Sequence, residues 1–281
     1  MHVPHLSLVS GTAGLGVVVA LVAPMAPATA AARAHCGMTV RSDITLHRNL
    51  RNCPGDGLVV RAHNITVNLN GHSIDGRGKR ASAGVRVTGY NGVVVKRGVI
   101  LQFGRGVWLV RADNGRILRN SIRSSFDEGI FTNESSSGTL IRGNRISGSG
   151  TRSGATWADG IDARGDGVRI RANIANYSRD DGIDANGNRV VVAGNRVNGN
   201  GEDGIDVDGH GILIHANTAT RNGDDGIGIG SGGDRVLISS NAANVNRDLG
   251  IQPRPGTATD GGRNRAARNG DSRQCVGVRC S

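Results

Sequence analysis

The chain has 281 residues and a formal net charge of +11, yet aromatic residues make up only 2% of it, leaving little to stack on nucleic-acid bases. The charge is also unevenly spread: residues 159–225 hold 12 Asp/Glu and 7 Arg, a balance of −5, so the remainder carries +16. An acidic belt in a basic body argues against a nucleic-acid partner, and with lysine confined to Lys79 and Lys96 the positive charge is almost wholly arginine, whose planar fork suits carboxylates.

At the N-terminus an apolar run from Leu15 to Ala23 is broken by Pro24 and Pro27 and followed by Ala28-Thr29-Ala30. This reads as a secretory signal peptide over residues 1–30 with a small-residue cleavage site. The run falls short of the roughly 20 apolar residues that a spanning helix needs. Residues 31–281 are therefore expected outside the cell as a single monomeric domain with no membrane span. All four cysteines, Cys36, Cys53, Cys275 and Cys280, follow the cleavage site, two near each end. An even count in an exported chain points to disulfides with three possible connectivities. Pairing within each end, Cys36 with Cys53 and Cys275 with Cys280, would staple the terminal repeats of an array. No C-x-x-C spacing supports a zinc site.

The array is visible in Asp159-Gly160-Ile161-Asp162, Asp181-Gly182-Ile183-Asp184, Asp203-Gly204-Ile205-Asp206 and Asp225-Gly226-Ile227-Gly228, set at a constant step of 22 residues. A period of that length marks a solenoid, in which each repeat buries its apolar face only against its neighbours. Extending the register gives Gly57, Gly84, Gly106, Gly129, Gly160, Gly182, Gly204, Gly226 and Gly250 as equivalent positions. The two long steps contain Gly71 to Arg80 and Gly148 to Thr156, both read as loops thrown out of a regular coil.

Within each step apolar residues alternate over short runs, as in Val85 and Val87 or Ile205 and Val207. A second run follows, as in Val190 and Val192, and a third begins with Asn, as in Asn195-Arg196-Val197. Three short strands per coil and no helical stretch predict an all-β, single-stranded right-handed parallel β-helix of about nine coils. Asn120, Asn144, Asn173, Asn195, Asn217 and Asn241 would form an internal ladder at one turn. A leucine-rich repeat has a similar period, but its L-x-x-L-x-L pattern is missing.

Cys36-Gly37, Cys53-Pro54-Gly55-Asp56-Gly57-Leu58 and Asn64-Ile65-Thr66-Val67-Asn68-Leu69-Asn70-Gly71-His72 resemble the opening of secreted bacterial β-helix proteins of the pectate-lyase-like superfamily. The tail from Asp260 to Cys280 is similar to the closing segment of the same group. The resemblance covers nearly the whole mature chain and implies the fold. It says little of activity, since the superfamily holds lyases, hydrolases, epimerases and adhesins. The acids partly resemble those of polygalacturonases: Asp159 and Asp180-Asp181 take the first two motif places at a one-coil step. The pattern then breaks, because Glu202-Asp203 stands one coil on, Gly209-His210-Gly211 falls past the strand, and both lysines lie far upstream.

With Ile161 pointing inward, alternation sends Asp162 outward, and the outward column reads Val59, Arg86, Trp108, Phe131, Asp162, Asp184, Asp206, Gly228 and Gln252. Carboxylates stacked about 4.8 Å apart repel unless a cation or shared proton relieves them. Asp162, Asp184, Asp206 and Asp181 are therefore candidate catalytic residues, and the first three, with the doubled acids Asp180-Asp181, Glu202-Asp203 and Asp224-Asp225, candidate ligands for Ca²⁺. The acids just before the glycines, Glu128, Asp159, Asp181, Asp203 and Asp225, also suit a structural role as turn residues bonding backbone amides. Arg86, Trp108, Phe131 and Arg164 are candidate contacts for an extracellular polysaccharide, with polyuronate lyase, epimerase or hydrolase as the candidate activity. The alternative is a non-catalytic cell-wall or matrix protein, structural or adhesive, whose coils only display a surface.

Overall fold

The computed structural model describes residues 33–150, 158–230, 232–253 and 256–281. The signal peptide expected at 1–30 and most of the loop expected at 148–156 lie outside the described residues. Residues 34–281 form one unit built of three parallel sheets, each with ten strands among the described residues. The first sheet runs from Met38–Val40 to Ile251–Gln252, the second from Ile44–Thr45 to Ala258–Asp260, the third from Leu50–Cys53 to Arg265–Ala267. Successive strands visit the three sheets in turn, each pairing in parallel with the strand one coil on. This is the expected right-handed β-helix, of ten turns rather than about nine. No described helix is long and apolar enough to cross a membrane.

The core is a bundle of like-on-like stacks. On the first sheet Ile130, Ile161, Ile183, Ile205 and Ile227 stand in register and are fully buried, as are Ile141, Ile170, Val192, Ile214 and Ile238 on the second. Each strand thus buries its alternate side chains against its neighbours in the pile, which no isolated coil could do.

Two polar columns run through this pile. The expected Asn ladder at the turn between the second and third sheets is present and continues to Asn264. At Asn195 the side chain donates to the Ile170 carbonyl at 2.9 Å and to Asn217 Oδ1 at 3.0 Å, while its own Oδ1 accepts the Asn173 backbone N–H at 2.9 Å. A second ladder, Asn200, Asn222, Asn246 and Asn269, closes on Gln274 Oε1. It fills the corner before the first sheet, where the third-sheet core residues shrink from Ile100, Ile122 and Ile146 to Ala175, Val197, Ala219 and Ala243. The repeated glycine is explained by the same corner. A Cβ on Gly204 would sit 2.5 Å from the Asn222 amide nitrogen and 2.6 Å from the Gly226 carbonyl oxygen.

The disulfides pair within each end, Cys36 with Cys53 and Cys275 with Cys280. Cys275 and Cys280 bridge to Ile251 and Asn264, so the tail covers edges that no further coil pairs.

Asn195→Ala removes a buried amide that serves two neighbouring coils and is expected to cost about 1–3 kcal/mol of unfolding free energy. Asn195→Asp buries a charge without the donor half of the ladder and costs more. Urea unfolding of the three proteins tests the order; equal midpoints would contradict the ladder's role.

Candidate functional site

The outward column of the first sheet is observed as expected, with Arg86, Trp108, Phe131, Asp162, Asp184, Asp206 and Gly228 as successive register partners. Its exposure differs from the expectation of an open carboxylate face. Asp162 is fully buried, at 0% exposure, because the Arg164 guanidinium folds back over it with bonds of 2.9 and 2.8 Å. Asp184 and Asp206 are half-buried, and Asp184 Oδ1 accepts a bond from Asn186 Nδ2 at 2.7 Å.

The aromatic part of the face is also covered. Trp108 and Phe131 meet edge to face at 6.4 Å, and Arg86 and Arg105 lie 4.0 and 4.5 Å from the Trp108 ring centre. Arg105 and Arg164 stand 5.0 and 5.5 Å from the Phe131 ring. Arg86 is itself held by Asp56, and Arg105 by Glu128. The two rings expected to offer open apolar area to a sugar are thus stacked under guanidinium groups. Arg105 is not singled out by motif, yet the register finds it. It precedes Gly106 as Glu128 precedes Gly129, so opposite charges stand one coil apart.

The inner acidic column has the structural role that turn chemistry suggests. Asp159 Oδ1 accepts the Asp181 backbone N–H at 2.9 Å, Asp181 that of Asp203 at 2.7 Å, Asp203 that of Asp225 at 2.8 Å, and Asp225 that of Leu249 at 2.8 Å. Each carboxylate joins its coil to the next. The partial polygalacturonase pattern is stacked in register, but Asp159 and Asp181 spend one oxygen each on backbone, and His210 stands beyond the other end of the strand, against Asp234.

One oxygen from each of Asp159, Asp162 and Asp184 lies within 4.8 Å of the others, a spacing that suits a hard cation. Asp206, expected in the ligand set, is not part of this group. Beyond it the column holds Gly228, and the Asp203 carboxylate occupies the space a side chain there would need. Asp224, Asp225 and Asp248 form a second acidic group at the turn entering the sheet, two of them exposed.

Burial and mutual repulsion raise the proton affinity of the stacked acids Asp159, Asp181, Asp184, Asp203 and Asp225. Burial, then the Asp159 and Asp203 charges, pushes Asp181 up to about 10, and burial, then Asp162 and Asp206, pushes Asp184 up to about 7. Asp203 is raised to about 8 and Asp225 to about 7, burial again coming first. Asp159 is raised well above its ordinary value by burial, then Asp184 and Asp162, whereas Asp162 is raised by burial but drawn back by Arg164.

Residues 38–156 and 135–259 match the family described as a right handed beta helix region. No curated protein matches the chain by sequence. Among solved structures, pectate lyase Pel9A superposes with a TM-score of 0.59 at 15% identity, over 86% of this chain and 68% of that one. The periplasmic alginate epimerase AlgG gives 0.55 at 15% identity, over 78% of this chain and 51% of its own, so the chain spans about half the epimerase's length. An alginate lyase from Paenibacillus sp. str. FPU-7 gives 0.53 at 15% identity, over 88% and 97%. At these identities the likeness is one of fold.

An acid whose pKa is higher folded than unfolded lends stability that is complete below its ordinary value, 3.8 for Asp, and lost as pH rises through the folded one. With Asp184 at about 7 and Asp203 at about 8, the metal-free protein is expected to melt at progressively lower temperature as pH rises from 5 through 8. Asp181→Asn keeps the acceptor for the Asp203 N–H and is neutral without a proton, whereas Asp181, at about 10, must take one up on folding at pH 8, so the variant's melting temperature exceeds that of the parent there. Thermal melts in EDTA check both; stability rising from pH 5 to pH 8 would contradict the assignment.

Proposed function

The chain belongs to the right-handed β-helix family, and from that premise we propose that its first sheet, between strands Ile130–Thr132 and Ile205–Asp208, binds an acidic extracellular polysaccharide through Ca²⁺ and transforms it. The observation that carries this reading is the convergence of Asp159, Asp162 and Asp184 on one point of a rigid sheet. Buried carboxylates that close are costly as bare charges, and three oxygens at that spacing are half of a calcium shell. Ca²⁺ held there would neutralise the column and ligate the carboxylate of a sugar.

The rest of the chemistry falls to the chain's own groups. Arg164, fixed by Asp162 and 40% exposed at its side chain, would orient a uronate carboxylate beside the ion. Lyase and epimerase reactions begin by removing the proton next to that carboxylate, and a hydrolase protonates the leaving oxygen. Lys96 projects from the second sheet and Lys79 lies before strand Ala83–Thr88, so neither serves this face. Asp206, one coil beyond the ion site and outside its ligand set, is the carboxyl left to move a proton. Asp181, bonded to the Asp203 N–H, holds the wall behind it.

A second reading, a non-catalytic wall or matrix protein that only displays its surface, is favoured by one specific observation: the rings of Trp108 and Phe131 are stacked under arginines that acids already hold. Incubating the protein with pectate, alginate and neutral glycans in Ca²⁺ separates the two, following unsaturated ends by ultraviolet absorbance, reducing ends by colour and epimer content by NMR. The enzyme reading expects Asp206→Asn to abolish turnover while keeping Ca²⁺-dependent binding, Asp184→Asn to lose both, and the distant Asp271→Ala to keep both. No turnover on any polymer, with binding indifferent to Asp184→Asn, would hand the surface to the display reading.

A further inference from the structure

The acidic column occupies one face of the solenoid; on the second sheet of the earlier coils the sign of the charge reverses. Strands Val94–Lys96, Arg116–Leu118 and Leu140–Arg142 lie side by side, and with the turn residue Arg119 they line a groove of about 300 Å³. The groove is walled by Lys96, Arg116, Arg119 and Arg142, with Leu118 and Leu140 between them, and holds no carboxylate.

Register arranges these side chains as a checkerboard. Arg116 stands beside Val94 and Leu140, while Leu118 stands beside Lys96 and Arg142. Arg169 of the next strand continues the pattern against Leu140, and Arg171, directly opposite Arg142, ends it. Over the three groove strands, cation and apolar residue alternate along either column at a step of about 4.8 Å. Within those three strands no two cations stand directly opposite each other, where they would repel most.

These cations are also unclaimed. The first-sheet arginines Arg86, Arg105 and Arg164 each grip an acid, whereas none of Lys96, Arg116, Arg119 and Arg142 is paired with a carboxylate among the described residues. The solenoid places acids at one-coil steps wherever its first sheet uses them, so an acid-free patch of cations is a surface for an outside anion. No aromatic side chain lines the groove, which removes the base-stacking platform of single-stranded nucleic-acid sites. Apolar patches alternating with guanidinium forks match instead a straight polymer that offers an apolar ring face and a carboxylate in each unit.

We propose that this second-sheet groove binds a linear carboxylated polysaccharide along the solenoid axis without metal, the cations taking its carboxylates and Leu118 and Leu140 the faces of its rings. Only the polymer class rests on the function proposed for the first sheet. The groove works whether or not that sheet is catalytic, and two binding faces on one rigid body would raise the avidity for a polymer network.

The test uses the full chain in EDTA, which silences a calcium-dependent site, with affinity electrophoresis and calorimetry against polygalacturonate, alginate, neutral dextran and duplex DNA. Binding to both polyuronates and not to dextran is expected, weakening steeply as NaCl rises. The triple variant Lys96→Ala/Arg116→Ala/Arg142→Ala is expected to bind about tenfold more weakly or worse, the scale of several lost ionic contacts. The single charge reversal Arg142→Glu, with an unchanged melting temperature, weakens binding in the same direction. Asp184→Asn leaves this metal-free binding in place while losing the calcium-dependent part, so failure of either site shows separately. Parent-like binding by both groove variants in EDTA, or duplex DNA outcompeting the polyuronates at equal salt, would overturn the proposal.

Discussion

The strands of successive coils set residues directly on their equivalents, and that stacked register is the constraint from which the rest follows. For isoleucine on isoleucine the result is a dry core with no design beyond repetition. For polar side chains the outcome depends on whether the group can pair with itself. An amide carries donors and an acceptor, so Asn195 gives to Asn217 and receives from Asn173 without outside help. A carboxylate is acceptor only when ionised, so a column of Asp needs donors from elsewhere.

The acidic belt shows three answers to that need. The inner column takes backbone N–H groups of the next coil, as Asp181 does from Asp203. In the outer column Arg164 supplies Asp162 and Asn186 supplies Asp184. What these leave is compensated by raised proton affinity, which places Asp184 at about 7. A structural column would have been simpler as asparagine, as both amide ladders demonstrate. Retaining carboxylates at Asp159, Asp162 and Asp184, against that cost, is the physical argument that the belt meets something positively charged.

Much of this was legible from spacing because a solenoid turns sequence period into spatial contact. The outward column from Arg86 to Gly228, the first Asn ladder and both disulfides follow from the 22-residue step and from the placement of the cysteines. The second ladder was equally available from spacing, since Asn200 and Asn222 share that step. What register could not convey is where long side chains bend. Arg164 is two residues from Asp162 and could have extended to solvent; folded back, it buries the carboxylate expected to be exposed. Arg86 and Arg105 likewise cover Trp108, a choice made by ring faces and by acids in neighbouring coils rather than by alternation along a strand.

On the proposed reading, the carboxylates of Asp159, Asp162 and Asp184 are held together for a cation and not merely tolerated. A crystal structure of the protein grown with calcium, with anomalous scattering to identify the ion, tests it most directly. The account expects one ion bound by oxygens of Asp159, Asp162 and Asp184, with Arg164 still on Asp162. Calcium found only at Asp224, Asp225 and Asp248, or no ordered ion at the first sheet in saturating calcium, would contradict it.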